Sequence, residues 1–369
     1  MSGIVNKIGK KIENLVLNNK KLYYIVRCVK LRNDKEFFDS VVVKESNKFD
    51  FRFWSKGNLC KDKIIYSINL ENKGKGFFAF YREVLVACAV AERYGYIPYV
   101  EIKGSAYNTP EIGENVYEYY FEQYENLEKE TVEQAYNGVT YNRYHMYLIE
   151  DEYIDNKMWA GGYSVSKEYI EFLGKIKRKY ISVKPIVKNR ILDEFTKLLK
   201  DKKTLAIHYR GTDYNMGMYG HPVSLGIGEY FDYINECLES GYEQIFIATD
   251  DEVALNTLID KYGEKVSYYK DTFRSSNGIG VHSQSNERKD NGYWLGYEVL
   301  RDMLTLAKCD GLICGISQVT IAAMVEKASY EEEYSYLKII DKGLNKEDNI
   351  EKRIKYKKQM KSVNSKRKN

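Results

Sequence analysis

Apolar positions along this chain recur with two periods, and the points where the period switches mark its elements. Ile64-Ile65-Tyr66-Ser67-Ile68 predicts a strand, and Asn72-Lys73-Gly74-Lys75-Gly76 predicts a turn. Ala79 to Tyr94 then reads as a helix carrying Val84, Leu85, Ala87, Cys88 and Val90, with Gly95 as its stop. Tyr96 to Ile102 is the next strand. Strand, turn, helix and strand make one βαβ unit, which implies a parallel sheet. Residues 103–165 are rich in Tyr, Asn and Glu and read as loops with short helices. Residues 166–200 carry two helical patterns parted near Pro185 and are expected to bridge the two halves of the chain.

A second series follows. Strand Leu205–Tyr209 leads through a turn with Gly217, Gly220 and Pro222 to a helix over Ile227–Ser240. Strand Gln244–Thr249, helix Glu252–Lys261 and strand Lys265–Tyr269 come next. Residues 273–292 form a polar Gly/Ser loop, long enough to suggest a functional role. Helix Leu295–Lys308, strand Gly311–Cys314, helix Val319–Lys327 and strand Tyr336–Ile340 complete the series. The expected fold class is therefore α/β, with two Rossmann-like domains facing a cleft, as in the GT-B architecture. The expected layout is an N-terminal helical or irregular segment (1–60), an N-terminal Rossmann-like domain (61–185), a C-terminal one (186–345) and a basic tail (346–369).

The outer segments are read with less detail. Ile4, Ile8, Ile12, Leu15 and Leu17 suggest an amphipathic helix packed on the main body. The tail carries Lys352, Arg353, Lys355, Lys357, Lys358 and Lys361 and is expected to be a frayed helix and disordered end. Contact with an anionic membrane is its sharper reading.

With 369 residues and a net charge of +4, the chain is long enough for two cores and gives no reason to expect nucleic acid as a partner. Tyr outnumbers Phe by 35 to 14, a bias we assign to an A+T-rich genome rather than to glycan-stacking surfaces. The six cysteines are scattered without a CxxC pair, which fits a reduced, cytoplasmic setting. No apolar run has the length of a membrane span or the form of a secretion signal. The four histidines are too dispersed for a multi-His metal site, and no metal or other cofactor is expected. P-loop and GxGxxG patterns are absent, because Gly74-Lys75-Gly76-Phe77 lacks the third glycine and the required run.

Candidate chemistry sits at four strand ends. In His208-Tyr209-Arg210-Gly211-Thr212-Asp213 an apolar strand runs straight into charge and glycine, the position where open α/β sheets hold ligands. Arg210 there is either a donor fork for a phosphate or half of an Arg–Asp bridge. Ala248-Thr249-Asp250-Asp251 ends another strand; a helix N-cap at Asp251 is favoured over a metal-binding carboxylate pair. Gly315-Ile316-Ser317-Gln318 opens a helix, where free amides suit a phosphate and where a capping Ser is equally ordinary. Asp302 interrupts an apolar helix face; it either meets solvent or accepts hydrogen bonds from a base such as guanine.

Taken in order, these segments resemble the α-1,6-fucosyltransferase group and its relatives, the rhizobial nodulation fucosyltransferases and protein O-fucosyltransferases. The family strand ending HxRRTD is matched by His208-Tyr209-Arg210-Gly211-Thr212-Asp213, its His-Pro by His221-Pro222, and its ATDD by Ala248 to Asp251. Its helix with a central Asp and its C-x-x-x-SQV turn are matched by Asp302 and by Cys314 to Val319, with one residue fewer before the Ser. The match covers about 205 to 327; the first half matches loosely, through the Gly74–Phe78 turn. The resemblance implies GDP-fucose as donor and a glycan hydroxyl as acceptor, in an inverting, metal-independent transfer. His208 and Asp302 would recognise guanine, Arg210 the β-phosphate, and Ser317 and Gln318 the diphosphate. Gly211 stands where the family has its second Arg, and Arg274, Arg288 and Arg82 are candidates to replace it. Gly76, Phe77, Gly211 and Asp250 are further expected substrate contacts. Asp213 is the candidate general base. Another GDP-hexose donor, or binding without turnover, are the alternatives.

Overall fold

The computed structural model describes residues 49–366, apart from 73, 155–162, 282–283 and 285–287, together with the isolated positions Asn19, Leu22 and Val29. The expected amphipathic helix around Ile4 to Leu17 lies outside the described residues. Two sheets organise the rest. The first has β1 (Arg52–Trp54), β2 (Ile65–Glu71), β3 (Ile97–Lys103) and β4 (Gly138–Thr140) in the order β1-β4-β2-β3. All its pairings are parallel except β1 with β4. Between β2 and β3 runs helix α1 (Phe77–Tyr94), two residues longer at its start than its periodicity predicts. Gly95, at φ 69°, ends it in the left-handed conformation that glycine adopts without penalty.

Helices α2 (Lys167–Tyr180) and α3 (Pro185–Leu199) follow, the first capped by the Ser166 hydroxyl and the second opened by Pro185 at its first turn. The second sheet is parallel throughout: β5 (Thr204–Tyr209), β6 (Gln244–Thr249), β7 (Val266–Ser267), β8 (Gly311–Gly315) and β9 (Tyr336–Ile340), ordered β9-β8-β5-β6-β7. Its helices are α4 (Phe231–Glu239), α5 (Glu252–Tyr262), α6 (Asn291–Lys308) and α7 (Gln318–Ser329). β5, β6 and the first four residues of β8 are buried at every position, as expected of strands covered on both faces.

The halves share apolar packing. One buried cluster runs from Tyr66, Ile68 and Val84 through Leu173 and Ile176 of α2 to Leu306, Ala322 and Val325. α2 packs against both α1 and α7, and there Lys177 Nζ lies 2.8 Å from Glu326 Oε2, both side chains under a tenth exposed. Among the described residues no helix is long and apolar enough to cross a membrane.

The helix expected in the tail is present, and residues 367–369 lie outside the described residues. Residues Ile350–Lys366 form helix α8, whose first residue, Ile350, is buried and packs with Ile354. Its approach is tied to the turn after β5: Asn349 N–H donates to Gly217 O at 2.8 Å, and Tyr219 N–H to Asp348 Oδ1 at 3.0 Å. Gly217, at φ 58°, sits so close to Asn349 that an added Cβ would lie 3.1 Å from the Asn349 Cβ.

Candidate functional site

β5, β6 and β8 end together at one edge of the second sheet, where His208 registers with Ala248 on one side and Cys314 on the other. The chain leaves β5 for β6 on one flank and later returns to β8 on the other. Between β5 and β8 lies the crevice at which open α/β sheets bind ligands.

Arg210 turns back over this edge. Its Nη2 is 2.7 Å from Asp213 Oδ1 and its Nη1 is 2.5 Å from Asp250 Oδ2. Asp250 also accepts from the Gly211 N–H at 3.2 Å and from the Thr212 hydroxyl at 2.5 Å, so one carboxylate holds both the arginine and the turn. Burial opposes the guanidinium charge, but Asp213 and Asp250 outweigh it and hold the pKa above its ordinary value. Of the two readings of Arg210, the recorded state is the ion-paired one, with 23% of the side chain still exposed. Asp213, the candidate base, is engaged in the same pair. Asp250 braces this turn.

Gly211 is dictated by packing. A Cβ there would come within 2.3 Å of Asp251 Oδ2 and 2.6 Å of the Tyr209 ring, so a second Arg has no room. Asp251 caps α5, accepting from the Val253 and Ala254 N–H groups at 2.9 and 3.2 Å. Ser317 likewise caps α7: its Oγ accepts from Thr320 N–H at 3.1 Å, and Thr320 Oγ1 accepts from Ser317 N–H at 2.9 Å. The Ser317 Oγ also lies 3.5 Å from His208 Nδ1, which joins the ends of β5 and β8. Burial, and then the charge of Arg210, push the His208 pKa down to about 3, so the imidazole is neutral at physiological pH. Gln318 is the first residue of α7, within hydrogen-bonding influence of the Tyr163 hydroxyl.

A cavity of about 70 Å³ opens among these groups, lined by His208, Arg210, Asp250, Phe273 and Asp302. Asp302 faces it from α6. The carboxyl is buried and its Oδ1 has no hydrogen-bond partner. Burial raises its pKa from 3.8 to about 7 against the pull of Arg301 and Arg274. Arg274 lies beside Asp302. Its Nη1 donates to Tyr269 O and Thr272 O at 3.0 and 3.1 Å, while Nε and Nη2 are buried without acceptors. Arg288 is paired with Glu298.

Two expected contacts lie elsewhere. Arg82 is ion-paired with Glu150 inside the first half, where the Tyr169 hydroxyl also donates to Glu150 at 3.1 Å. It does not line the cavity, but its charge reaches the Tyr163 hydroxyl beside Gln318 and Tyr214. Phe77 is 6% exposed, edge-on to Phe78, Tyr107 and Tyr120, and is therefore a core ring. Its N–H donates to Tyr107 Oη at 2.8 Å, and Tyr107 is near enough to feel Arg210 and Asp213. Gly76 is the N-cap of α1, next to Phe77.

Other neighbours carried little or no sequence signal. Tyr163 Oη lies 3.4 Å from both His221 Nδ1 and Tyr214 Oη, and only His221-Pro222 was visible as a motif. Tyr356 of α8 accepts from Gly280 N–H at 2.8 Å and feels the charges of Asp213, Arg210 and Asp250. Among the described residues, no three His, Cys, Asp or Glu side chains gather as a metal site would require.

Fold and site together define an α/β protein with two largely parallel sheets and a polar crevice at the carboxyl edge of the second. No family model and no curated protein sequence matches the chain. Among solved structures it is similar to an NodZ alpha-1,6-fucosyltransferase soaked with GDP-fucose, at 16% identity over 71% of this chain and 92% of the other, with a TM-score of 0.46. The fucosyltransferase NodZ from Bradyrhizobium matches at 15% identity over 71% and 92%, TM-score 0.44. POFUT1 in complex with GDP matches at 9% identity over 76% and 99%, TM-score 0.45.

Proposed function

We propose that this chain is a fucosyltransferase-like glycosyltransferase that takes L-fucose from GDP-fucose to a hydroxyl of a glycan. The observation that carries the reading is the meeting of His208, Arg210, Asp250 and Asp302 around one cavity at the carboxyl ends of β5 and β6, walled by α6 and by Val319 of α7. Residues 186–345 would form the donor half and 61–185 the acceptor half.

In this reading the unpartnered Asp302 carboxylate accepts from the N–H edge of guanine. The neutral His208 sits beside it. Arg210 exchanges a carboxylate for the β-phosphate, and the α7 start at Ser317 and Gln318 lends its amides and dipole. The acceptor oxygen bonds to the anomeric carbon from the face opposite the diphosphate, the bond from that carbon to the phosphate oxygen breaks, and GDP leaves with the electron pair. Arg210 stabilises the charge that develops on the diphosphate. Asp213 takes the acceptor proton once Arg210 has turned to the phosphate. The bridging charge is the guanidinium, so the reading calls for no metal ion. A bacterial surface polysaccharide or oligosaccharide is the proposed acceptor class, and a cytoplasmic location is part of the same proposal. The exposed Lys352 and Lys355 of α8 would allow a peripheral, salt-sensitive contact with anionic lipid.

The test is a donor panel: release of the nucleoside diphosphate (GDP from GDP-fucose and GDP-mannose, UDP from UDP-glucose), with and without glycan acceptors. Release from GDP-fucose above the others supports the reading, and Arg210→Ala should lower it about 100-fold or more. Equal binding of all three with no release from any would favour a binding protein.

A further inference from the structure

The cavity that gathers the candidate donor residues is too small for its proposed occupant. It measures about 70 Å³, whereas pockets for small ligands run to roughly 300 Å³ and above. Between its wall residues Phe273 and Val281, the segment Ser275–Gly280 runs alongside the end of β6, with Ser275 N–H donating to Asp250 O at 2.8 Å. Across that segment runs α8, from the far end of the chain.

Two α8 side chains hold the segment from outside. Tyr356 Oη accepts from Gly280 N–H at 2.8 Å, and the Gln359 amide donates to Asn277 O. At its base, α8 is tied to the other wall of the site. The Asn349 and Asp348 contacts engage Gly217 and Tyr219, Gly220 N–H donates to Asn345 O at 2.9 Å, and Asn345 Nδ2 donates to His221 O at 2.9 Å. The helix therefore spans from the 217–222 turn to the 275–280 segment. Beneath it lies the Arg210–Asp213–Asp250 cluster, whose charges reach the Tyr356 hydroxyl.

We propose that α8 is a strap over the donor site: Tyr356 and Gln359 pin the 275–280 segment, and a nucleoside diphosphate enters only when those two contacts release. The proposal rests on the donor-site reading and adds a gating element from outside the motif region. The asymmetry of the ties gives the motion its direction. Residues 345–349 make six hydrogen bonds to the 217–222 turn, while Tyr356 and Gln359 make one each to the 275–280 segment. The distal end releases first, and the base is the hinge.

The test is a staple and its converse, read with a fluorescent GDP analogue in the full-length chain. In Asn277→Cys/Gln359→Cys, oxidation should lower affinity for the analogue at least tenfold and reduction should restore it. In Tyr356→Phe/Gln359→Ala, which removes both pins, association should speed up about tenfold, two hydrogen bonds' worth of closed state being lost. A stapled protein that binds as tightly as wild type, or an unpinned one that associates at the wild-type rate, would overturn the strap while leaving the donor site standing. Failure of wild type and all variants to bind the analogue would overturn both.

Discussion

Replacing Asp302 with Asn tests the most consequential buried charge in the site. The carboxyl is 7% exposed, one oxygen lacks any partner, and burial lifts its pKa from 3.8 to about 7. A raised carboxyl pKa means that the folded state holds a proton which the unfolded chain has already lost. The associated stability is therefore complete below about pH 4 and is gone once the pH has risen through 7. The full difference corresponds to ~4 kcal/mol. By pH 5 the unfolded chain is largely ionised and part of that has been lost, leaving about 2–3 kcal/mol to disappear between pH 5 and pH 8.5. Asn has nearly the same shape and does not titrate. Unfolding free energies from urea titrations at the two pH values should thus show wild type losing about 2–3 kcal/mol more than Asp302→Asn. Equal pH dependence in the two proteins would refute the assignment of a raised pKa to this residue.

Other outcomes follow from packing. Gly211→Ala drives a methyl into Asp251 and the Tyr209 ring and should cost about 1–3 kcal/mol in the same urea measurement; a neutral result would mean the turn relaxes freely. Lys177→Met strands Glu326 in the shared core and should cost about 3–5 kcal/mol, whereas Lys177→Met with Glu326→Leu should recover most of it; equal loss in both would contradict the pairing. His208, pushed down to about 3, should show no imidazole titration by NMR between pH 5 and 8, and a midpoint near 6.5 would refute its burial.

What could be read from the sequence was what local patterning controls. Strands Gln244–Thr249 and Tyr336–Ile340 were read to the residue, because a short apolar run between polar ends has few other uses in an α/β chain. Helix α6 starts four residues earlier than its apolar stripe because Asp290, at φ 53°, and Asn291 open it with polar residues. Strands Arg52–Trp54 and Gly138–Thr140 escaped notice, since three residues show no period and owe their form to strand neighbours. At the site, His208, Arg210, Asp250 and Asp302 were legible because strand ends and a carboxylate in an apolar helix are local signals. Arg82 and Phe77 were not separable from ligand contacts in the sequence, as only tertiary packing shows which way α1 turns them. Tyr107 and Tyr356 reach the site from distant parts of the chain, and nothing near them in sequence marks the destination.

A structure of the protein soaked with GDP tests the central claim most directly. The account predicts the diphosphate between the Arg210 guanidinium and the first turn of α7 at Ser317, guanine against Asp302, and one of the two Arg210–carboxylate contacts given up. GDP bound outside this crevice, or Arg210 still holding both Asp213 and Asp250 with no phosphate beside it, would contradict it.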